Sequence, residues 1–218
     1  MSDVELLAAA LPRDLPAPPP PPAGARVRAP AVQLLECVLT LRRGEESLPE
    51  RLDAFERRFP AVEGLAQLRT LVQSYKSSAL FAKDVLAHAE PSSVEMLRAL
   101  CDYLVRTVLD GPGAEVERLR LWAQRARPQE YLAITAPGFG LAGFQHLRML
   151  FGANTTRPDS AMGRYVAAVL GRPVADVQAL LLLEQAAERA RVRLPDAEPG
   201  GWAQALERRR STPGDAAS

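Results

Sequence analysis

The sequence predicts an all-α fold of about ten helices, and three observations lead to that reading. From Ala31 onward, apolar residues recur at three- and four-residue spacing in one segment after another. No stretch alternates apolar and polar residues with period two for long enough to demand a strand. Proline or glycine closes most of the periodic segments, at Pro60, Gly111-Pro-Gly113, Pro128, Gly171 and Pro195. With 218 residues, 47% of them hydrophobic and 24% charged, the chain can bury a core in one large domain or two small lobes.

Residues 1 to 30 hold eight of the 19 prolines, including the run Pro18 to Pro22. They read as an extended or disordered tail with a short helix at Val4 to Ala10. Leu34, Leu35, Val38 and Leu41 mark the next helix, and Leu48, Leu52, Phe55 and Phe59 the one that Pro60 stops. Helices follow over about 63–73 and 77–88. Pro91-Ser-Ser93 opens a longer one, with Ser92 or Ser93 as N-cap and Leu97, Leu100, Cys101, Leu104 and Val108 on one face. Another covers about 114–127. Met162, Tyr165, Val166, Val169 and Leu170 make a further amphipathic face, and 174–191 reads as a long helix containing the run Leu180 to Leu183. A short helix around Trp202 to Arg209 closes the fold, and 211–218 is a tail.

Composition removes several classes of function. No apolar run approaches the ~20 residues that span a bilayer. Met1-Ser-Asp-Val-Glu5 lacks the basic and apolar regions of a secretion signal, so a cytoplasmic protein is expected. Cys37 and Cys101, the only cysteines, fall within apolar helical patterns and read as buried core residues. Two thiols cannot supply a four-cysteine iron–sulfur or structural zinc site, and no metal ligand set is expected. Net charge is +1, but from Tyr131 to Arg172 the charges are Arg148, Arg157, Asp159, Arg164 and Arg172, a local +3. A modest phosphate-facing surface needs that kind of bias.

The basic stretch contains the most informative residues. Ile134 to Gly152 reads as helix, a tight Pro137-Gly-Phe-Gly140 turn, and a second helix from Leu141; a loop then reaches Asp159 at the mouth of a third helix. Two glycines flanking an apolar residue allow positive φ and close backbone approach. The amides of the turn and of the first helical residues have no intrahelical partner and face outward at the positive end of a helix dipole. They form a ready anion site, suited to a nucleic-acid phosphate without reading sequence. An ordinary αα-hairpin with glycines for tight packing explains the same spacing. Asp159, after Pro158, suits an N-cap, which needs no function of its own. Such a fixed anion beside a phosphate site also suits a sugar that develops positive charge. Arg164, five residues on, fits a phosphate contact or a plain surface position.

Together these residues resemble the helix-hairpin-helix DNA glycosylase superfamily, which includes the endonuclease III-like enzymes. The pattern reads Ala136-Pro-Gly-Phe-Gly140, a helix to Phe151-Gly152, then Pro158-Asp159 and Arg164. More softly, Val32 to Arg43 is similar to the family's N-terminal apolar helix, and Ala186 to Trp202 to its C-terminal return. The resemblance implies a two-lobed domain over 31–210, with a central lobe at about 44–152 and a second lobe from 31–43 plus 153–210. It implies monofunctional base excision: a nucleotide of damaged double-stranded DNA is flipped into a cleft between the lobes. Asp159 is then the catalytic residue. Gly138, Phe139, Gly140, Ala142, Gln145, Arg148 and Arg164 are the DNA-binding set, and Leu41 or Arg42 the wedge. Aromatics such as Phe144, Tyr165 and Trp122 line a base pocket or belong to the core.

The departures bound the chemistry. Bifunctional members carry a lysine after the second hairpin glycine as Schiff-base nucleophile; here that position is Ala142, and no lysine follows Lys83. A lyase step is therefore not expected. The histidine that often follows the Asp by two positions is Ala161, and the segment that supplies a gap-filling Gln reads Thr40-Leu-Arg-Arg43. The resemblance implies no iron–sulfur cluster and no other cofactor, with room for a monovalent cation at the hairpin. It implies a monomer that binds no membrane and, in a bacterium, associates with the nucleoid. Two other readings fit the same residues: a non-catalytic duplex-binding protein on this fold, and a helical protein-interaction module whose Pro-Gly-Phe-Gly is only a turn.

Overall fold

The computed structural model describes residues 1–15, 28–42, 47–86, 90–108, 110, 112–195 and 200–211, with Arg42 described by its backbone alone. The run Pro18 to Pro22, Arg43, Gly111 and the tail beyond Ser211 lie outside the described residues. In chain order the helices are α1 (Asp3–Asp14), α2 (Pro30–Arg42), α3 (Leu48–Arg58), α4 (Leu65–Ser74), α5 (Ser78–Asp84) and α6 (Pro91–Val108), then α7 (Glu115–Arg125) and a 3₁₀ helix (Pro128–Ala133). After these come α8 (Leu141–Leu150), α9 (Ser160–Leu170), α10 (Asp176–Ala190) and α11 (Gly201–Ser211). The fold is all-α, with no strand among the described residues. None of these helices is long and apolar enough to cross a membrane.

The chain divides into two compact units. A central unit comprises Gly24–Ala126 and Glu130–Ala153; a terminal unit comprises Met1–Ala23, Arg127–Gln129 and Asn154–Ser218. This differs from the expected lobes, because α2 packs with α3, α4, α6 and α8 in the central unit. The N-terminal helix of the terminal unit is α1, which packs on α9, α10 and α11.

In the central unit, α2 is apolar around most of its circumference. Ala31, Val32, Leu34, Leu35, Cys37, Val38 and Leu39 are all buried, which is the pattern of a helix with neighbours on every side. The second cysteine sits on α6, where burial pushes the Cys101 thiol up to about 12. That helix begins at Pro91, a residue suited to a first helical position, so Ser92 and Ser93 lie inside the helix rather than capping it. The N-terminus of α4 borrows its cap from a distant residue: Leu65 N donates to Glu115 Oε1 at 2.7 Å.

The short helix expected at Val4 to Ala10 is longer, Asp3–Asp14, and is packed into the terminal unit rather than part of an extended tail; residues 16–27 lie outside the described residues. Ser2 and Glu5 form a capping box, with Ser2 N donating to Glu5 Oε2 at 3.0 Å and Glu5 N to Ser2 Oγ at 3.3 Å. Leu7, Ala10, Leu11 and Asp14 then bury one face of α1. Pro12 sits in the last turn, where it lacks the N–H that would bond the carbonyl four residues back, and the helix ends two residues later. Arg172 reaches Asp3, and Arg189 reaches Glu5 at 3.3 Å, along the exposed edge. Because Leu11 is wholly buried, Leu11→Ala should cost about 2–5 kcal/mol, read as a lowered urea midpoint. A tail without tertiary packing would show no change.

Candidate nucleic-acid interface

The first arm of the expected hairpin is not an α-helix. Six residues, Pro128–Ala133, form a 3₁₀ turn instead, ended by Ile134 N donating to Tyr131 O at 3.1 Å. Pro137 biases the residue before it toward extended backbone, so a longer helix could not run into the turn. Phe139 N donates to Ala136 O at 3.2 Å, and Gly138 has φ +72° between them. Proline followed by a positive-φ glycine is the signature of a type II turn, and a side chain at Gly138 would be strained. Pro137 and Gly138 are exposed, while Phe139 turns inward and is 7% exposed.

Gly140 caps α8 in a different way. Its φ of −124° and ψ of −164° are extended backbone that any residue adopts, and a Cβ built there would meet nothing within 4 Å. No side chain caps the helix. The first helical bond is Phe144 N to Gly140 O at 2.9 Å, so the amides of Leu141, Ala142 and Gly143 have no intrahelical acceptor. Ala142 is exposed beside them. Gly143 serves packing: a Cβ there would fall 2.9 Å from Leu41 Cδ1 and 2.9 Å from Phe139 Cδ2. Leu41, expected as a wedge, is partly buried and packs its Cδ1 against the hairpin at Gly143. The side chain of Arg42 lies outside the described residues.

Gln145 and Arg148 are corrections to the expected DNA-binding set. They are 0% and 2% exposed, and Arg148 Nη1 donates to Gln145 Oε1 at 2.9 Å. Arg148 Nε donates at 2.9 Å to Ala123 O, one of the orphan carbonyls in the last turn of α7. The arginine thus ties α8 to α7 from inside the central unit, leaving its charge unavailable to a phosphate. Phe144 is wholly buried, and Trp122 packs edge-on against it and Phe151, so these aromatics belong to the core.

Asp159 and Arg164 belong to the terminal unit. Asp159 is the N-cap of α9, with Oδ1 accepting from Met162 N at 2.6 Å. Asp159 and Arg164 are exposed on the outer face of α9, while Met162, Tyr165 and Val166 are buried on its inner face. Tyr165 donates to Asp14 Oδ2 at 3.1 Å; burial first, and the Asp14 charge second, push its hydroxyl far above the ordinary tyrosine range.

Sequence reasoning missed the loop before Asp159. Asn154 Nδ2 donates to Val192 O at 2.8 Å, and Asn154 Oδ1 accepts from Leu194 N at 2.9 Å. Thr155 Oγ1 donates to Glu184 Oε1 at 2.5 Å. Thr156 Oγ1 accepts from Trp202 Nε1 at 3.0 Å, and both threonines are at most 2% exposed. A run of three polar residues in a short interhelical loop was the available signal.

One further feature lies in the central unit, a cavity of about 990 Å³ lined by residues that include Gln33, Glu36, Gln67, Arg120 and Phe151. Burial raises the Glu36 carboxyl above the ordinary range, and Arg28 opposes that shift. Among the described residues, no group of histidine, cysteine and carboxylate side chains could hold a metal ion. No family model matches this chain, and neither does any curated protein or solved structure.

Proposed function

We propose that this chain binds double-stranded DNA through the Pro137–Gly140 hairpin and releases a damaged base by hydrolysis, with Asp159 as the catalytic carboxylate. The observation that supports this best is Gly140. Glycine suits the N-cap of α8, but among the described residues nothing crowds it: its backbone is ordinary and a Cβ would meet open space. A missing side chain beside three amides without intrahelical acceptors suits an anion that approaches from outside. The contact is made by backbone, so it positions a duplex without reading its sequence.

In this reading the amides of α8 hold a backbone phosphate, and exposed Arg164 supplies a second charge. Asp159 stabilises the positive charge that develops on the sugar as the glycosidic bond breaks and its electron pair leaves with the base. Water then adds to the sugar carbon and gives up one proton, which the departed base takes, leaving an abasic site. Ala142 occupies the position where a lyase enzyme carries its amine, so the strand stays intact. The non-catalytic duplex-binding reading draws on a different observation: the bond from Met162 N already gives Asp159 a sufficient structural role.

Gly140→Leu is the test of the hairpin. The variant should lose no more than about 1 kcal/mol of stability, the cost of replacing a glycine N-cap, and bind duplex about tenfold more weakly, the ~1.4 kcal/mol of one good phosphate contact. Wild-type affinity should fall as salt rises, since phosphate contacts release counterions. Affinity that ignores both the substitution and salt would end the DNA reading. Duplexes carrying uracil, alkylated purines or oxidised bases, treated with alkali after incubation, then separate a glycosylase from a binder.

A further inference from the structure

Asp159 presents a problem of aim. It is exposed, and its carboxylate is held by the single bond from Met162 N at 2.6 Å. A carboxylate that must face one developing charge works only if its backbone is fixed, and a misplacement of about 1 Å can cost about a hundredfold in rate. The structure fixes that backbone from both sides. Upstream, Asn154, Thr155 and Thr156 each anchor to a different part of the terminal unit: the 192–194 segment, α10 and α11. Downstream, Tyr165 on the buried face of α9 is pinned to Asp14.

Trp202 joins the two sides. Its Nε1 donates to Thr156, three residues before Asp159, while its ring packs on Tyr165, six residues after, with centroids 5.2 Å apart. The indole itself is buried on α11. We infer that Trp202, acting through Thr156 on one side and Tyr165 on the other, is the positioning residue that sets where the Asp159 carboxylate points. This rests on the reading of Asp159 as the sugar-facing carboxylate.

Two conservative variants remove the Thr156–Trp202 bond, and Thr156→Val also removes the longer bond at 3.4 Å that Thr156 Oγ1 donates to Arg157 O. Trp202→Phe keeps an aromatic ring against Tyr165 and removes the donor; Thr156→Val keeps the shape and removes the acceptor. In each, single-turnover base release from a damaged duplex should fall about 10- to 100-fold, with duplex affinity within about twofold of wild type. Thr156→Ser, which restores the hydroxyl, should recover the rate. The double variant should be no slower than the worse single one, because both remove the same bond. Hydrogen exchange supplies a readout that needs no turnover. The Met162 amide, bonded to Asp159, should exchange about tenfold faster in both single variants, while Val169, deeper in α9, keeps its protection.

Release rates at the wild-type level in both single variants would overturn the inference. So would Met162 protection that neither variant changes. If the wild-type protein releases no base, or Asp159→Asn releases it as fast, the glycosylase reading fails by itself. Met162 exchange then decides whether Trp202 holds the Asp159 cap.

Discussion

Asp159→Asn should slow base release from a damaged duplex by about 10²- to 10³-fold and leave duplex affinity within about twofold. The substitution separates the cap that Asp159 forms from the catalytic role proposed for it. As an N-cap, Asp159 accepts a single bond from Met162 N, and asparagine caps a helix about as well as aspartate. Helix α9 should therefore keep its start, and melting temperature should stay within about 2 °C of wild type. Only the charge is lost. A sugar with oxocarbenium character is stabilised by a fixed anion and barely by a neutral amide, so the rate should move while stability and binding do not. Base release that persists undiminished would remove Asp159 from the chemistry and leave the duplex-binding reading in place. Breaks that appear without alkali would contradict the assignment of Ala142 to the missing lyase position.

What the sequence disclosed depended on how local each signal was. The turn at Pro137-Gly-Phe-Gly140 and the cap at Asp159 are set by adjacent residues, and the structure shows Gly138 at φ +72° and Asp159 bonded to Met162 N. The N-terminal helix was legible at Val4 to Ala10, but the eight prolines in 30 residues masked its packing, although Ser2 with Glu5 and the Leu7, Ala10, Leu11 spacing mark a capped, buried helix. Unit membership was not legible. Whether Val32 to Arg42 joins the central or the terminal unit depends on packing between elements distant in sequence, and periodicity carries no such information. The anchors of the Asp159 loop were hidden for the same reason, since Thr156 and Trp202 are 46 residues apart. Arg148 was misjudged from its charge. It lies one turn after Phe144 and Gln145 on the stripe that α8 turns inward, and position, not residue type, decided its burial.

That burial gives the second large effect. Arg148→Ala should destabilise the central unit by about 3–5 kcal/mol, seen as a lower urea midpoint. The loss has three physical parts. Ala123 O, in the last turn of α7, loses its donor at 2.9 Å, and Gln145 Oε1 loses another at 2.9 Å. A long buried side chain is also replaced by a methyl, and α8 packs on α7 across the space it leaves. A surface arginine that touched a phosphate would behave in the opposite way. Its removal would leave stability within about 0.5 kcal/mol and lower the slope of log affinity against log salt by about one. Urea unfolding and a salt titration of duplex binding therefore test the same residue in opposite senses. The burial of Arg148 predicts that the first changes; on the proposed duplex-binding reading the second, measured where the variant is still folded, matches wild type. If the hairpin holds DNA, it does so with Arg148 beneath it as a strut between α7 and α8, and the positive charge that the duplex meets there comes from the backbone amides at the start of α8.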